Sequence, residues 1–327
     1  MAHDLLVPNG PDVDVVEQAV QAEDLGYDSV WLGELWGGDP FTRLAAAATA
    51  TDSIELGTAI VNVYSRTPAV LAMSAASLDS LSDGRFTLGV GVSTKQAIEN
   101  IHGQDFDRPV RRAHETIDVV RRLLDGDERV TYDGELLEVS GVPPLDVDVP
   151  VYHAALGKAN RRVVARLCDG WIPHNVPFPD LEDAFAYVAE IADDAGRDPD
   201  DITVAPYVPA VVDEDGEAAR DALRGHVAYY VGSGEGYERA VGDRFPDGAS
   251  AVAEAWRDGD RETARSHVTD EMLAALGVAG TPDEARRQFR TLLDGTPVDR
   301  PMVTLPSNAS ADQHERTIWE LAPERFD

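Results

Sequence analysis

A chain of 327 residues, 43% of them hydrophobic, can bury a large core, and it has no apolar run near the ~20 residues of a membrane span. With 60 acidic against 28 basic residues its formal charge is −32, which argues against a surface for nucleic acid or any other polyanion. One cysteine, Cys168, excludes an internal disulfide and a thiolate metal cluster; the eight histidines show no metal spacing, so no metal is expected.

Strand-like and helix-like stretches alternate along the chain. Asp4–Val7 is a short apolar start. Val13–Leu25 has helical spacing, with Gly26 as its cap. Asp28–Glu34 reads as a strand, Phe41–Thr51 as an alanine-rich helix, Ile54–Val61 as a strand and Pro68–Leu81 as a helix opened by proline. Phe86–Val90 is the fourth strand, and the helix Pro109–Leu124 follows a polar loop. Residues 129–139 place Asp133-Gly134 between extended arms and read as a hairpin excursion. Val149–Ala154, Gly170–Pro173, Ile202–Val212 and Pro301–Leu305 complete eight strands, with helices at Ala159–Arg166, Leu181–Asp194 and Ala311–Leu321 between or after them. About 232–260 lies a polar, glycine-rich insertion expected over one end.

Eight strand–helix units without a glycine-rich dinucleotide turn predict one α/β domain over residues 1–327, a TIM (β/α)8 barrel with insertions. The opening MAHDLLVPNG has neither a basic region nor an apolar signal core, so a cytoplasmic protein is expected. Lysine is nearly absent, with only Lys95 and Lys158, and acid is spread over the whole chain, which suggests adaptation to high salt. Cys168 lies between apolar positions and reads as a small buried side chain.

In such a barrel the active end is where strands run into helices. That brings forward Glu34, the run Asn62-Val63-Tyr64, Gly91–Gln96, Ala154–Lys158, Pro173–Val176 and Tyr207–Ala210. Gly89 and Gly91 end the fourth strand at the mouth. Either a flat ligand approaches the backbone there, or the barrel packs tightly.

The stretch LDSLSDGRFTLGVG resembles the signature of the luciferase-like flavin and deazaflavin oxidoreductases. AEDLGYDSVWLGE, IELGTAIVNVYSRTPAVLAMSAASLDSLS, VPVYHAALGKANRRVVARLCDGWI and AYYVG agree with that family in order and spacing, over nearly the whole chain. VNVYSRTP and AYYVG are most similar to the branch that uses coenzyme F420, the deazaflavin of methylene-tetrahydromethanopterin reductase, and high-salt archaea use F420.

The resemblance implies hydride transfer between F420 and a small organic substrate. The alternatives are an FMN-dependent monooxygenase and a non-catalytic flavin-fold protein. It implies a cis peptide between Ala59 and Ile60 against the cofactor ring, with Asn62 and Tyr64 as further contacts. The pair Gly33-Glu34 stands where many members have Asp-His, so that histidine is absent; Glu34 is either a catalytic acid–base or ring-contact group, or a helix-capping or salt-bridge residue. Gly91, Ser93, Thr94 and Lys95 fall near the cofactor. Ala155, Gly157 and Lys158 open a helix whose free N–H groups suit a phosphate. The two lysines follow adjacent strands and are expected to converge on one anionic group. A homodimer is the assembly the family suggests.

Overall fold

The computed structural model describes residues 2–326. Each of the first units is a short buried strand followed by a capped helix. Strand β1 (Asp4–Val7) leads to α1 (Val15–Asp24), whose first N–H groups are taken by the Asp14 carboxylate. Then come β2 (Ser29–Leu32) and α2 (Pro40–Ala48), capped by Asp39 with proline in its first turn. Strand three is split into β3 (Glu55–Thr58) and β4 (Val61–Asn62), followed by α3 (Pro68–Leu81), which Thr67 caps. Next are β5 (Phe86–Gly91), α4 (Lys95–Asn100) and α5 (Pro109–Asp125).

The expected hairpin is present as β6 (Val130–Asp133) and β7 (Glu138–Val142), ending three residues later than the sequence suggests. The buried Glu115 carboxylate of α5 accepts the backbone N–H groups of Glu135, Leu136 and Leu137, which pins the hairpin turn. The barrel resumes with β8 (Val151–Ala154), α6 (Lys158–Leu167), β9 (Gly170–Ile172) and α7 (Leu181–Asp194).

Strand seven, expected unbroken over Ile202–Val212, is two pieces, β10 (Thr203–Val204) and β11 (Tyr207–Val212). Pro206 cannot donate to a neighbour, so the strand bends there. The bend closes the barrel. β10 pairs in parallel with β9, whereas β11 pairs with β13 (Met302–Thr304), which in turn pairs with β1. Around the ring the remaining neighbours are β1–β2–β3–β5–β8–β9, all parallel.

Between β11 and β13 the chain inserts α8 (Gly216–Ser233), α9 (Glu235–Gly242), α10 (Pro246–Arg257), α11 (Arg261–Ser266), α12 (Asp270–Leu276), β12 (Val278–Gly280) and α13 (Pro282–Gly295); α14 (Ala311–Glu320) follows β13. The region about 232–260, polar by composition, is therefore helical. Val241, Ala249, Val252 and Ala253 face inward, and these helices share a small core with α8 and α12. The charges lie on the outer faces, which hides the helical stripe from a reading by composition. Strand β12, which the sequence reading did not include, extends the sheet beside β11. Cys168 is fully buried, and burial pushes its thiol up.

Candidate active site at the barrel mouth

The break in strand three organises the mouth. The Ala59–Ile60 peptide is cis, at the position the resemblance implies. Thr58 Oγ1 locks the approach to it, donating to the Gly89 carbonyl (2.8 Å) and accepting from the Gly89 N–H (2.9 Å). A Cβ at Gly89 would lie 1.8 Å from the Thr58 carbonyl oxygen, and one at Gly91 would lie 2.9 Å from the Ile60 side chain. On the other side, a Cβ at Gly33 would lie 2.9 Å from the Ala59 carbonyl oxygen. Gly89 is thus required by packing against backbone at the break, the second of the two readings, whereas at Gly91 the neighbour is a side chain that can move. From across the barrel, the Tyr207 hydroxyl donates to the Ala59 carbonyl.

Glu34 sits just past β2 and is the hub of the adjoining wall. Its Oε2 accepts from Asn62 N (2.9 Å), Asn62 Nδ2 (2.8 Å) and Ser65 Oγ (3.2 Å). Its Oε1 meets Arg66 Nη1 at 2.5 Å, and the other end of that guanidinium pairs with Asp39. Asn62 is fully buried; its Oδ1 accepts from the N–H groups of Tyr64 and Ser65. Its Nδ2 also lies 3.1 Å from His102 Nε2. Convergent donors and a guanidinium make Glu34 an anchoring carboxylate. The imidazole at this wall comes from His102, in the loop after α4.

The opposite wall is aromatic. His174, after β9, is packed among Tyr207, Tyr230 and Tyr237, with ring centroids 4.4 to 5.2 Å away. His226 lies against Tyr230. Burial, reinforced by His226, holds the His174 imidazole well below its ordinary value, and burial brings His226 down to about 4. Both rings are therefore neutral near pH 7. Burial pushes Tyr230 up to about 12 and also raises Tyr207 and Tyr237. Tyr237 belongs to α9, so the inserted helices reach this wall beside His174. His174 Nε2, Asn175 Nδ2 and His226 Nε2 are buried with no hydrogen-bond partner.

Comparison with known proteins now bears on this geometry. The family model described as "Luciferase-like monooxygenase" matches residues 8–300. The chain belongs to the luciferase-like monooxygenase family. Among its relatives, 5,10-methylenetetrahydromethanopterin reductase of Methanolobus tindarius is 32% identical over 292 residues, covering 88% of this chain and 89% of the relative. The solved coenzyme F420-dependent tetrahydromethanopterin reductase of Methanopyrus kandleri is 25% identical and superposes with a TM-score of 0.80, covering 99% of this chain and 98% of that one. An F420-dependent secondary alcohol dehydrogenase, solved with an F420–acetone adduct, shares the fold at a TM-score of 0.79 and 19% identity, covering 100% of this chain and 99% of that one.

In this luciferase-like barrel the residues singled out from sequence divide into groups. Glu34, Ala59, Ile60, Asn62 and Gly91 meet at the strand-three break. Tyr64 turns away from it: its ring stacks on Phe106 and lies under the Arg112 guanidinium. Ser93 takes a left-handed backbone (φ 58°), and Thr94 caps α4 by accepting from Ala97 N. Ala155 is buried, its carbonyl accepting from Trp171 Nε1.

Gly157 is the N-cap of α6, without a side-chain cap, and nothing lies within 4 Å of where its Cβ would be. That open, amide-rich end fits an anionic group. The two lysines have separate partners rather than a shared one. Lys95 faces Glu99 on its own helix (3.9 Å), and Lys158 lies over the Tyr187 ring. Neighbouring strands fix where a loop starts, but each lysine's long stem follows its own helix. His102 and Arg66 escaped the sequence reading. Arg66 lies inside the VNVYSRTP block, and nothing in the loop around His102 marks it.

Proposed function

We propose that this protein is an F420-dependent oxidoreductase that transfers hydride between the deazaflavin and a small organic substrate. The observation that carries the reading is the near-complete superposition on an F420-dependent reductase at 25% identity. The mouth fits a flat, anionic cofactor. The open N-terminus of α6 at Gly157 offers N–H groups to a phosphate, with Lys158 adding charge. The break at Ala59–Ile60 and the Glu34–Asn62 pair form the wall for the ring, and Ser93 and Thr94 stand at the same end. When bound, F420 supplies a hydride-carrying carbon.

The chain's own residues supply order and exclude water. Glu34 fixes Asn62, Tyr207 holds the Ala59 carbonyl, and the tyrosine–histidine wall closes the opposite side. His102 Nε2 accepts from the Asn62 amide, which leaves the ring's other nitrogen to carry a proton at this wall. Titration with F420 and with FMN, followed by fluorescence, tests the proposal. F420 is expected to bind more tightly. Tighter FMN binding would move the protein to a flavin monooxygenase, and binding without turnover on any donor would favour a non-catalytic carrier.

A further inference from the structure

Helix α6 reads KANRRVVARL: Lys158, Arg161, Arg162 and Arg166, and no acid, in a chain where acids outnumber bases 60 to 28. Arg162 and Arg166 are four apart and so share one face of the helix. Both side chains are exposed. Arg162 Nε donates to the Tyr187 hydroxyl (2.7 Å), and among the described residues no carboxylate pairs with either guanidinium. Like charges at this spacing repel by a few tenths of a kcal/mol in an isolated helix. An arginine pair left without an acid in so acidic a chain points to an anion from outside.

The space for it is present. A groove of about 370 Å³ runs between α5 and α6. Its apolar floor is Val110, Ala159 and Val163, and its rim is Arg162, Arg166, Arg111 and His114. Arg111 is already engaged by Glu115 and Glu135. His114 Nδ1 is buried without a partner. Val110 and Ala159 lie in the first turns of their helices, so the groove opens at the barrel mouth beside Gly157. From there to Arg166 is roughly 13 Å along the helix, the span of about four extended residues.

We propose that this groove binds the glutamyl tail of the cofactor, with tail carboxylates on Arg162 and Arg166. The inference rests on the F420 reading and adds the site that would select tail length. The test is equilibrium binding, at fixed salt, of F420 carrying one glutamate and of F420 carrying several, to the parent and to an Arg162→Gln/Arg166→Gln variant. The parent is expected to bind the long-tailed form about five-fold more tightly, the size of an exposed charge pair. The variant is expected to lose that preference while keeping the parent's affinity for the short-tailed form, which also reports that it is folded. A parent without preference, or a variant that keeps it, would overturn the tail site and leave the F420 reading standing. Failure of the parent to bind either form would overturn both.

Discussion

At the scale of single residues, Asn62 uses both ends of its side-chain amide. Its carbonyl accepts two backbone N–H groups, and its amide serves Glu34 and faces His102, all within a buried site. Asn62→Leu keeps the volume and removes these partners, leaving buried donors and a carboxylate oxygen short of hydrogen bonds. The expected cost is about 2–3 kcal/mol, read as a lower midpoint in urea denaturation; an unchanged midpoint would show that Asn62 does not pin this wall.

His226 gives a pH dependence with a definite sign. Its folded value, about 4, lies below the ordinary value of 6.5. Between those values the unfolded chain binds a proton that the native chain refuses. The contribution is thus present above about pH 6.5 and lost as pH falls towards 4, by roughly 3 kcal/mol in total. Urea melts at intervals from pH 7 to 4.5 should show the decline, with a shallower slope in His226→Gln. Parallel slopes would contradict the assignment. The sequence brought forward Glu34 and Asn62 because strand ends are predictable. It could not bring forward His102, because its contact with Asn62 spans forty residues and depends on a loop's path.

At the scale of elements, the glycines separate packing from binding. Gly89 faces a backbone oxygen of the neighbouring strand, which cannot swing aside as a side chain can. Gly89→Ala must therefore push β5 away from β3, and a loss of about 3 kcal/mol is expected, at the upper end of overpacking costs. Gly157→Ala meets open space. It should cost under about 1 kcal/mol, since alanine is only a poorer N-cap than glycine. Thermal melts of the two cofactor-free variants test the contrast, and equal losses would mean that strand four is not wedged against the break.

The alternation of short apolar runs and capped helices made most barrel strands legible, and Pro68–Leu81 and Leu181–Asp194 match the sequence reading at both ends. Two strands were read as continuous: the first break has no compositional mark, and at the second the proline that marks it was passed over. Ala59–Ile60 sits within an apolar run, and Pro206 within an extended one. The helical insertion was obscured for the opposite reason, its polar face dominating the count.

At the scale of the whole molecule, the charge balance predicts a dependence on salt. Ion pairs between described residues rely almost wholly on arginine, and the 60 acids cannot be matched by 28 bases. The excess acids face solvent and repel one another in the compact state more than in the expanded one. At 0.1 M salt the screening length is about 10 Å, long enough for neighbouring surface carboxylates to interact; at 1 M it is about 3 Å. Salt also weakens the favourable pairs, but those near the core are shielded from it. The Arg300 guanidinium, for example, grips the fully buried Asp4 at 3.0 and 3.1 Å. Salt therefore removes more repulsion than attraction. The midpoint of thermal unfolding is expected to rise steadily from dilute buffer to molar KCl. Chloride is the proper choice, because sulfate stabilises most proteins by exclusion from their surface whatever their charge. A midpoint that stays level or falls across that range would show that the acidic surface is not an adaptation to salt.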